Sequence, residues 1–136
     1  MEEENNVSMN SVITIFRREQ LCRITSGAVS TIAPITHVSF GIGGTNANGD
    51  PIRPSETQKA LNNQIAIYPI SSITYPHEPN TVARYNVTIP AADLPGARIS
   101  EAGLVDADGN LHAIQNFYDK GKDPGVPFSF AFDDKF

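Results

Sequence analysis

The sequence predicts an α+β fold, namely a mostly antiparallel β-sheet or small sandwich with one or two short helices. Apolar and polar residues alternate over 82–89 and again over 128–133, as in half-buried strands. Two apolar runs flank Asp108-Gly109, the dipeptide that favours a tight hairpin turn. Ten prolines and ten glycines in 136 residues imply short elements and frequent turns. Helical patterns in the first half followed by strands favour helices packed on an antiparallel sheet.

Length and charge restrict the organisation and the function class. The 136 residues fit one domain, predicted over 11–136, after an acidic tail at residues 1–10. A net charge of −5, with no basic cluster larger than Arg17-Arg18, excludes a nucleic-acid footprint. The start is acidic where a secretory signal would be basic, and no apolar run approaches the roughly 18 residues of a membrane span. We therefore expect synthesis in the cytoplasm and no membrane insertion.

A first helix is predicted over residues 16–26. Thr14 is the expected N-cap, with Ser11 as the alternative, and Gly27 is placed to end the helix. The lone Cys22 has no companion for a disulfide or a zinc site, and its apolar flanks, Leu21 and Ile24, predict a small buried apolar residue. The apolar face of this helix is predicted to contain Leu21, Ile24 and Ala28. The face directed to water is predicted to contain Arg17, Arg18 and Glu19.

The middle of the chain predicts alternating short elements. A strand over 35–40 leads into a loop rich in glycine and asparagine. The capping-box pattern of Ser55-Glu-Thr-Gln58 predicts a second short helix over 55–63. Residues 65–75 are predicted to form one strand, interrupted at Pro69, which marks an edge or a bulge because proline cannot donate to the ladder.

Strands dominate the second half. After the strand at 82–89, the hairpin strands are predicted at 98–105 and 111–118. The second of these is apolar on both faces and should therefore be central in its sheet. A final amphipathic strand is predicted over 128–132.

Two motifs suggest ligands, and both lack essential positions. Gly41-Ile-Gly-Gly44 lacks the third glycine of a dinucleotide fingerprint and the lysine of a phosphate loop, which favours a plain surface loop. Asp106, Asp108 and Asn110 alternate as calcium ligands do, but Phe117 stands where an EF-hand needs its glutamate. We expect a turn at this position, and neither a metal nor a cofactor.

No catalytic residues are predicted. The three histidines, His37, His77 and His112, are far apart in sequence and match no catalytic motif; half-exposed structural roles are favoured for the two on predicted strands, His37 and His112. Asp133-Asp134 is expected to be a solvated strand end rather than a carboxylate pair for glycoside hydrolysis.

The phenylalanine series near the C-terminus has two interpretations. Phe128 and Phe130 are predicted to pack in the core, where burying apolar surface contributes roughly 25 cal/mol per Å². For Phe132 and Phe136 the sequence leaves the core and a subunit interface equally open. These two residues are the candidate interface.

The stretch Glu101-Ala-Gly-Leu-Val-Asp-Ala-Asp-Gly-Asn-Leu111 resembles the signature hairpin of the phage tail-collar fibre family, the N-terminal domain of many phage tail fibres. The helix differs, because family members favour small residues where this chain carries charged ones. A fibre shaft and a receptor-binding tip would follow this domain in a full fibre, and this chain is expected to lack both. The order of elements is similar elsewhere, at residues 15–27, 35–44, 61–75, 87–90 and 128–132.

The resemblance implies a non-enzymatic structural component of a phage or phage-like contractile tail. It would act as a fibre-attachment or collar adaptor at the baseplate, located in the virion tail after synthesis in the host cytoplasm. Its expected partners are baseplate or tail-fibre proteins and copies of itself, a trimer by analogy with fibres. The alternative is a small carbohydrate-binding β-domain, which the absence of tryptophan and the presence of only four tyrosines disfavour.

Overall fold

The computed structural model describes residues 10–136, which form two antiparallel sheets and one helix. The predicted tail at residues 1–10 lies, apart from Asn10, outside the described residues. In chain order the elements are β1 (Ser11–Ile13), α1 (Ile15–Thr25), β2 (Ile35–Gly41), β3 (Gln64–Pro69), β4 (Ser72–Thr74), β5 (Val82–Ile89), β6 (Arg98–Asp106), β7 (Leu111–Gly121) and β8 (Phe128–Lys135).

The larger sheet has the order β1-β7-β6-β2-β3 and the smaller sheet the order β4-β5-β8. The main core lies between them, because its buried cluster takes side chains from both. Phe40 and Leu104 of the larger sheet and Val87 and Phe132 of the smaller are members of this cluster. The alternation predicted for 82–89 and 128–132 therefore marks the two strands that face this core.

A second, smaller cluster contains Leu61, Val105, Leu111 and Ile114. It covers the hairpin strands on the side away from the main core, so β6 and the first half of β7 are buried on both faces. The prediction that 111–118 is a central strand is confirmed, because β7 lies between β1 and β6.

The predicted α+β class is wrong. Among the described residues, one helix of 11 residues stands beside eight strands, so the fold is β-dominated. The small sandwich named in that prediction does describe the two packed sheets. The helical share was overestimated because one of the two sequence patterns that predicted a helix does not form one.

That signal is the capping box at Ser55, and the helix predicted over 55–63 does not form. The Gln58 side chain does accept from the Ser55 N–H at 2.8 Å, as a capping box requires. The chain then turns away, because the N–H groups of Asn62 and Asn63 donate to the Glu101 carboxylate at 2.9 and 2.8 Å instead of continuing a helix. A tertiary contact therefore overrides the local preference.

The first helix is confirmed to within one residue at each end. Thr14 is its N-cap and accepts from the Arg17 N–H at 3.2 Å, and Gly27 follows the C-cap with φ of +82°. Two side-chain predictions are wrong: Arg17 is buried and Cys22 is exposed. After Arg17 every position of the helix is half-buried or exposed. In the described part of the chain no helix is long and apolar enough to cross a membrane.

The single strand predicted over 65–75 is two strands in different sheets. The Ile70 N–H still donates to Thr36 O of the larger sheet at 3.0 Å, whereas the Ser71 N–H donates to Asn86 O of the smaller sheet at 2.8 Å. Pro69 thus ends β3 at a sheet edge, as its missing donor predicts, and the chain crosses between layers directly after it.

Candidate functional site: the β6–β7 hairpin and a buried polar network

The hairpin begins with a fully buried carboxylate. Glu101 has no exposed surface, and its Oε1 accepts from the Asn62 N–H at 2.9 Å. Its Oε2 accepts from the N–H groups of Gly43 and Asn63 at 2.9 and 2.8 Å. Because each donor belongs to backbone outside the hairpin, Glu101 fastens two loops onto β6.

One of these loops is the glycine-rich segment, and its glycines serve close packing. The Gly44 N–H donates to Ser100 Oγ at 2.9 Å, and a Cβ on Gly44 would collide with the Ser100 carbonyl. On β6 itself a Cβ at Gly103 would lie 2.6 Å from Leu111 Cδ1. The first part of the segment is therefore pinned against β6 rather than shaped around a phosphate.

The tight turn is organised by Asp106. Its Oδ1 accepts from the N–H groups of Asp108 and Asn110, each at 2.9 Å. Gly109 has φ of +88°, and its N–H donates to Asp106 O at 3.0 Å. The turn explanation of this Asp-rich stretch is sufficient. No group of three or more His, Cys, Asp or Glu residues within 10–136 is placed to hold a metal ion.

The turn conformation at Gly109 predicts the effect of substitution. A Cβ at Gly109 meets no atom within 4 Å, so Gly109→Val tests backbone strain alone. We expect a loss of about 1–3 kcal/mol in the free energy of unfolding, because a β-branched residue rarely adopts positive φ. Gly109→Asn, which tolerates this conformation, is the control and should lose less. Equal melting temperatures for the valine variant and the parent protein would contradict the hairpin geometry.

The second oxygen of Asp106 connects the turn to a buried histidine. Asp106 Oδ2 lies 2.8 Å from His112 Nε2, and His112 is only 2% exposed. On its other side Arg17 Nε donates to His112 Nδ1 at 3.2 Å. Since arginine can only donate, Nδ1 must accept, and the proton is therefore assigned to Nε2.

Arg17 extends this network to the end of the chain. It is 4% exposed, and its two terminal nitrogens donate to the two oxygens of Asp134, each at 2.6 Å. The Phe136 ring lies 5.4 Å from the guanidinium and covers it. The Phe16 ring packs edge-on against His112 at 5.4 Å. Helix α1, the hairpin turn and β8 are thus joined through one chain of buried polar contacts.

The geometry of this network limits its chemistry. A histidine paired with an aspartate can act as a general base only when its other ring nitrogen faces the nucleophile or substrate group whose proton it removes. In this protein that nitrogen is occupied by the Arg17 donor. The arrangement therefore fixes three segments relative to one another and leaves no free base.

A family model described as the phage tail-collar fibre protein, N-terminal, matches residues 9–124. The chain belongs to this family. The resemblance carried by Glu101 to Leu111 is thereby confirmed. The matched region includes β1 to β7 and ends before β8, the strand that closes the smaller sheet. A search of curated proteins gives no match to this chain.

In this tail-collar fibre domain the contacts of the hairpin residues give them a common structural role. Glu101 fastens the loops, Ala102 has no exposed surface, Gly103 permits close packing and Asp106 builds the turn. Each of these side chains acts inside the domain. The hairpin is therefore the structural centre of this tail-collar fibre domain.

The candidate interface residues occupy different places in the tail-collar fibre domain. Phe132 is 4% exposed and lies in the main core, 6.4 Å from the ring of Phe130. Phe136 is 68% exposed, apart from its contact with Arg17. Phe128 and Phe130 are half-buried members of the core surroundings. Any contact with another chain would therefore involve Phe136 directly and Phe132 only indirectly.

The exposure predicted for two polar residues, Asp134 and His112, is wrong. Asp134 is 3% exposed and paired with Arg17, so it is not a solvated strand end; its neighbour Asp133 forms a more exposed pair with Arg84 at 2.7 Å. His112 is buried rather than half-exposed, because the turn and the helix enclose it. His37 is half-buried and contacts its neighbour Thr36 at 2.8 Å.

The acidic groups predict how stability depends on pH. Burial raises the pKa of Asp106, but the N–H of Asn110 and the contact with His112 outweigh it and lower the pKa below the usual value. Arg84 lowers the pKa of Asp133. A carboxyl whose pKa is lower in the folded chain stabilises the fold above its unfolded pKa, and this contribution is lost as the pH falls through the folded pKa.

We therefore expect the free energy of unfolding to decrease as the pH falls below about 4. Urea denaturation at several pH values measures this change. Asp106→Asn removes one of the carboxyls whose pKa is lowered and should flatten the dependence, whereas Asp108→Asn, on the exposed part of the turn, is the control. A stability that stays constant through this range would contradict the assignment.

Proposed function

We propose that this chain is a non-enzymatic structural component of a phage or phage-like contractile tail, where it acts as a fibre-attachment or collar adaptor at the baseplate. The observation that carries the proposal is the family match over residues 9–124. An adaptor of this kind would reside in the virion tail after synthesis in the host cytoplasm. Its partners would be baseplate or tail-fibre proteins and copies of itself.

The internal use of the polar groups supports a role based on surfaces. Glu101, Asp106, His112 and Arg17 all bond within the chain, and all are nearly fully buried. A domain held by such contacts presents its loops and strand edges in fixed positions, which favours docking without rearrangement. The proposed role is therefore to connect tail proteins through surface contacts, and it requires no catalysed reaction.

Localisation on intact particles tests this function. Purified tails would be imaged with a small tag inserted at Asn48, in an exposed stretch of the glycine loop. We expect density for the tag at the baseplate or collar, and stable binding of the purified chain to a baseplate or fibre protein. A chain that is absent from particles and binds none of these proteins would overturn the proposal. A signal on a glycan array would then favour the carbohydrate-binding alternative.

The adaptor proposal also predicts independence from small ligands. We expect no change in melting temperature with EDTA, Ca²⁺, Mg²⁺ or ATP. A ligand that binds only the native state must raise the apparent stability, so thermal denaturation is a direct measurement. A reproducible rise of several degrees with one of them would contradict a purely structural role.

A further inference from the structure

The loop between β2 and β3 contains a second turn of the kind that closes the β6–β7 hairpin. Residues 46–50 have the sequence Asn-Ala-Asn-Gly-Asp, and residues 106–110 have the sequence Asp-Ala-Asp-Gly-Asn. In the first of these turns Asn46 Oδ1 accepts from the N–H groups two and four residues later, at 2.9 and 3.0 Å. In the hairpin turn Asp106 Oδ1 accepts from the corresponding two N–H groups, each at 2.9 Å. The side chain of the first residue therefore organises both turns in the same way.

The backbone also closes both turns alike. Gly49 has φ of +84°, close to the +88° of Gly109. The Gly49 N–H donates to Asn46 O at 2.9 Å, and the Asn46 N–H donates to Asp50 O at 2.8 Å. The same two backbone bonds close the hairpin turn, each at 3.0 Å. The two turns can therefore be compared position by position.

The turn at 46–50 is held less firmly than the hairpin turn. Its two stems meet at an isolated bridge, Thr45↔Pro51, whereas the hairpin turn joins two long paired strands. All of its residues are exposed, whereas the hairpin turn begins at the buried Asp106. A segment with few buried contacts and solvent-exposed backbone hydrogen bonds opens at a low cost in free energy. We therefore expect this turn to open while the domain stays folded.

We propose that Asn48 is a site of spontaneous deamidation. It is followed by glycine, and no other asparagine of the sequence is. In the opened turn the Gly49 backbone nitrogen attacks Asn48 Cγ and forms a new N–C bond. The bond from Cγ to the side-chain nitrogen breaks, and this nitrogen leaves as ammonia with the proton of the Gly49 N–H. Water then opens the resulting cyclic imide and yields aspartate or isoaspartate.

The surroundings of Asn48 and Gly49 favour this attack. Glycine has no Cβ beside the attacking nitrogen, and its backbone adopts many conformations. A Cβ at Gly49 would meet no atom within 4 Å, so neighbouring groups leave room for the ring. Asn48 is exposed, and its side-chain amide makes no hydrogen bond within residues 10–136. Once the Gly49 N–H is released from Asn46 O, no other contact keeps the two reacting groups apart.

Other asparagines of the chain are less suited to the reaction. The Asn46 side chain is held by two N–H groups, and the following alanine places a Cβ beside the nitrogen that would attack. Asn110 and Asn116 precede the larger residues Leu111 and Phe117, and Asn116 is also buried. The reaction is therefore expected at Asn48 first.

Comparison of the two turns predicts that the aspartate product keeps the fold. The hairpin turn carries Asp108 at the position that corresponds to Asn48, followed by a glycine of nearly the same φ. Isoaspartate differs, because it adds a carbon to the main chain and displaces the N–H groups that Asn46 Oδ1 accepts. Either product adds a negative charge to an exposed turn of a chain whose formal net charge is −5.

Peptide mass spectrometry of the folded chain tests the site. The purified protein is kept at mildly alkaline pH, and samples are digested over several weeks. We expect the mass change from amide to acid in the peptide that contains Asn48 before any other asparagine peptide shows it. Fragment ions distinguish Asn48 from Asn46, which lies in the same peptide. Isoelectric focusing of the intact chain should show a more acidic species that accumulates at the same rate.

Three variants separate the steps. Asn48→Gln keeps an amide but lengthens the side chain, so the small ring does not close and the mass change should disappear. Asn46→Ala removes the acceptor of two N–H groups and should raise the rate at least about twofold, because the open turn becomes more populated. Asn48→Asp represents the aspartate product and should melt at the temperature of the parent protein.

A chain in which Asn48 stays an amide while another asparagine converts would overturn the proposal, and so would a chain that shows no conversion at all. Conversion that continues at the same rate in Asn48→Gln would place the reaction elsewhere and overturn it as well. An unchanged rate in Asn46→Ala would contradict the requirement that the turn opens. Each of these outcomes leaves the proposed tail function standing, because the reaction concerns only the chemistry of one exposed turn.

Discussion

Arg17→Ala is expected to lower the free energy of unfolding by about 3–5 kcal/mol, because it leaves the buried Asp134 carboxylate without its partner. Arg17 and Asp134 are 4% and 3% exposed, so water cannot replace the lost contacts without opening the structure. The substitution also removes the donor to His112 Nδ1. Chemical denaturation followed by circular dichroism measures the loss.

The adjacent arginine supplies the matched control. Arg18 pairs with Glu56 at 3.8 Å, and both side chains are more than half exposed. Ion pairs of this kind contribute about 0–1 kcal/mol, so Arg18→Ala should be close to neutral. Equal losses for the two alanine variants would contradict the buried network.

A double substitution separates lost attraction from the burial of an unpaired charge. In Arg17→Met with Asp134→Leu both charges disappear, and apolar side chains occupy their volume. Such replacements of buried pairs are often neutral, so most of the loss should be recovered. Recovery should remain partial, because His112 Nδ1 would still lack its donor.

Local patterns predicted those elements whose stability is itself local. The Thr14 cap, the Asp108-Gly109 turn and the alternation in β5 each concern neighbouring residues, and the structure confirms them. The class was nevertheless wrong, because the capping box at Ser55 is a local signal that a distant residue overrides. Glu101 takes the backbone donors that a helix would have used.

The polar network could not be predicted, because its members are far apart in sequence. Arg17 and Asp134 are separated by 117 positions. Taken alone, each is a charged residue of a type that usually lies on the solvent-exposed surface. The burial of Lys122 could not be predicted either. This residue is 1% exposed, and its side chain donates to Ala91 O and Asp123 O. The prediction for Cys22 was wrong for the opposite reason. Its apolar neighbours Leu21 and Ile24 suggested burial, but both are only half-buried and Cys22 itself is exposed.

The hairpin motif identified the family, and the structure shows which contacts the residues of this motif make. The motif includes Glu101 but does not predict its role, since no local rule assigns a partner to a glutamate on a strand. The signal that could have found its role is the glycine-rich segment, because glycines mark places where backbone approaches backbone. A buried acceptor on the neighbouring strand is what such an approach requires.

Glu101→Leu is expected to destabilise the fold by at least about 3 kcal/mol, since each buried donor left without a partner costs roughly 1–3 kcal/mol. Three donors lose their acceptor, namely the N–H groups of Gly43, Asn62 and Asn63. The leucine has a similar volume and adds apolar surface, so the loss isolates the hydrogen bonds rather than a cavity. Urea denaturation gives the free energy.

Glu101→Gln is the graded comparison. Its remaining carbonyl oxygen can still accept, whereas its amide nitrogen would meet backbone N–H groups, so we expect an intermediate loss of about 1–3 kcal/mol. Glu19→Leu, on the exposed surface of α1, controls for the loss of a charge and should be nearly neutral. Amide exchange should show the loops opening first at Gly43 and Asn63, because Glu101 is their acceptor. If Glu101→Leu left both stability and exchange unchanged, the carboxylate would not be what fastens the loops to the hairpin.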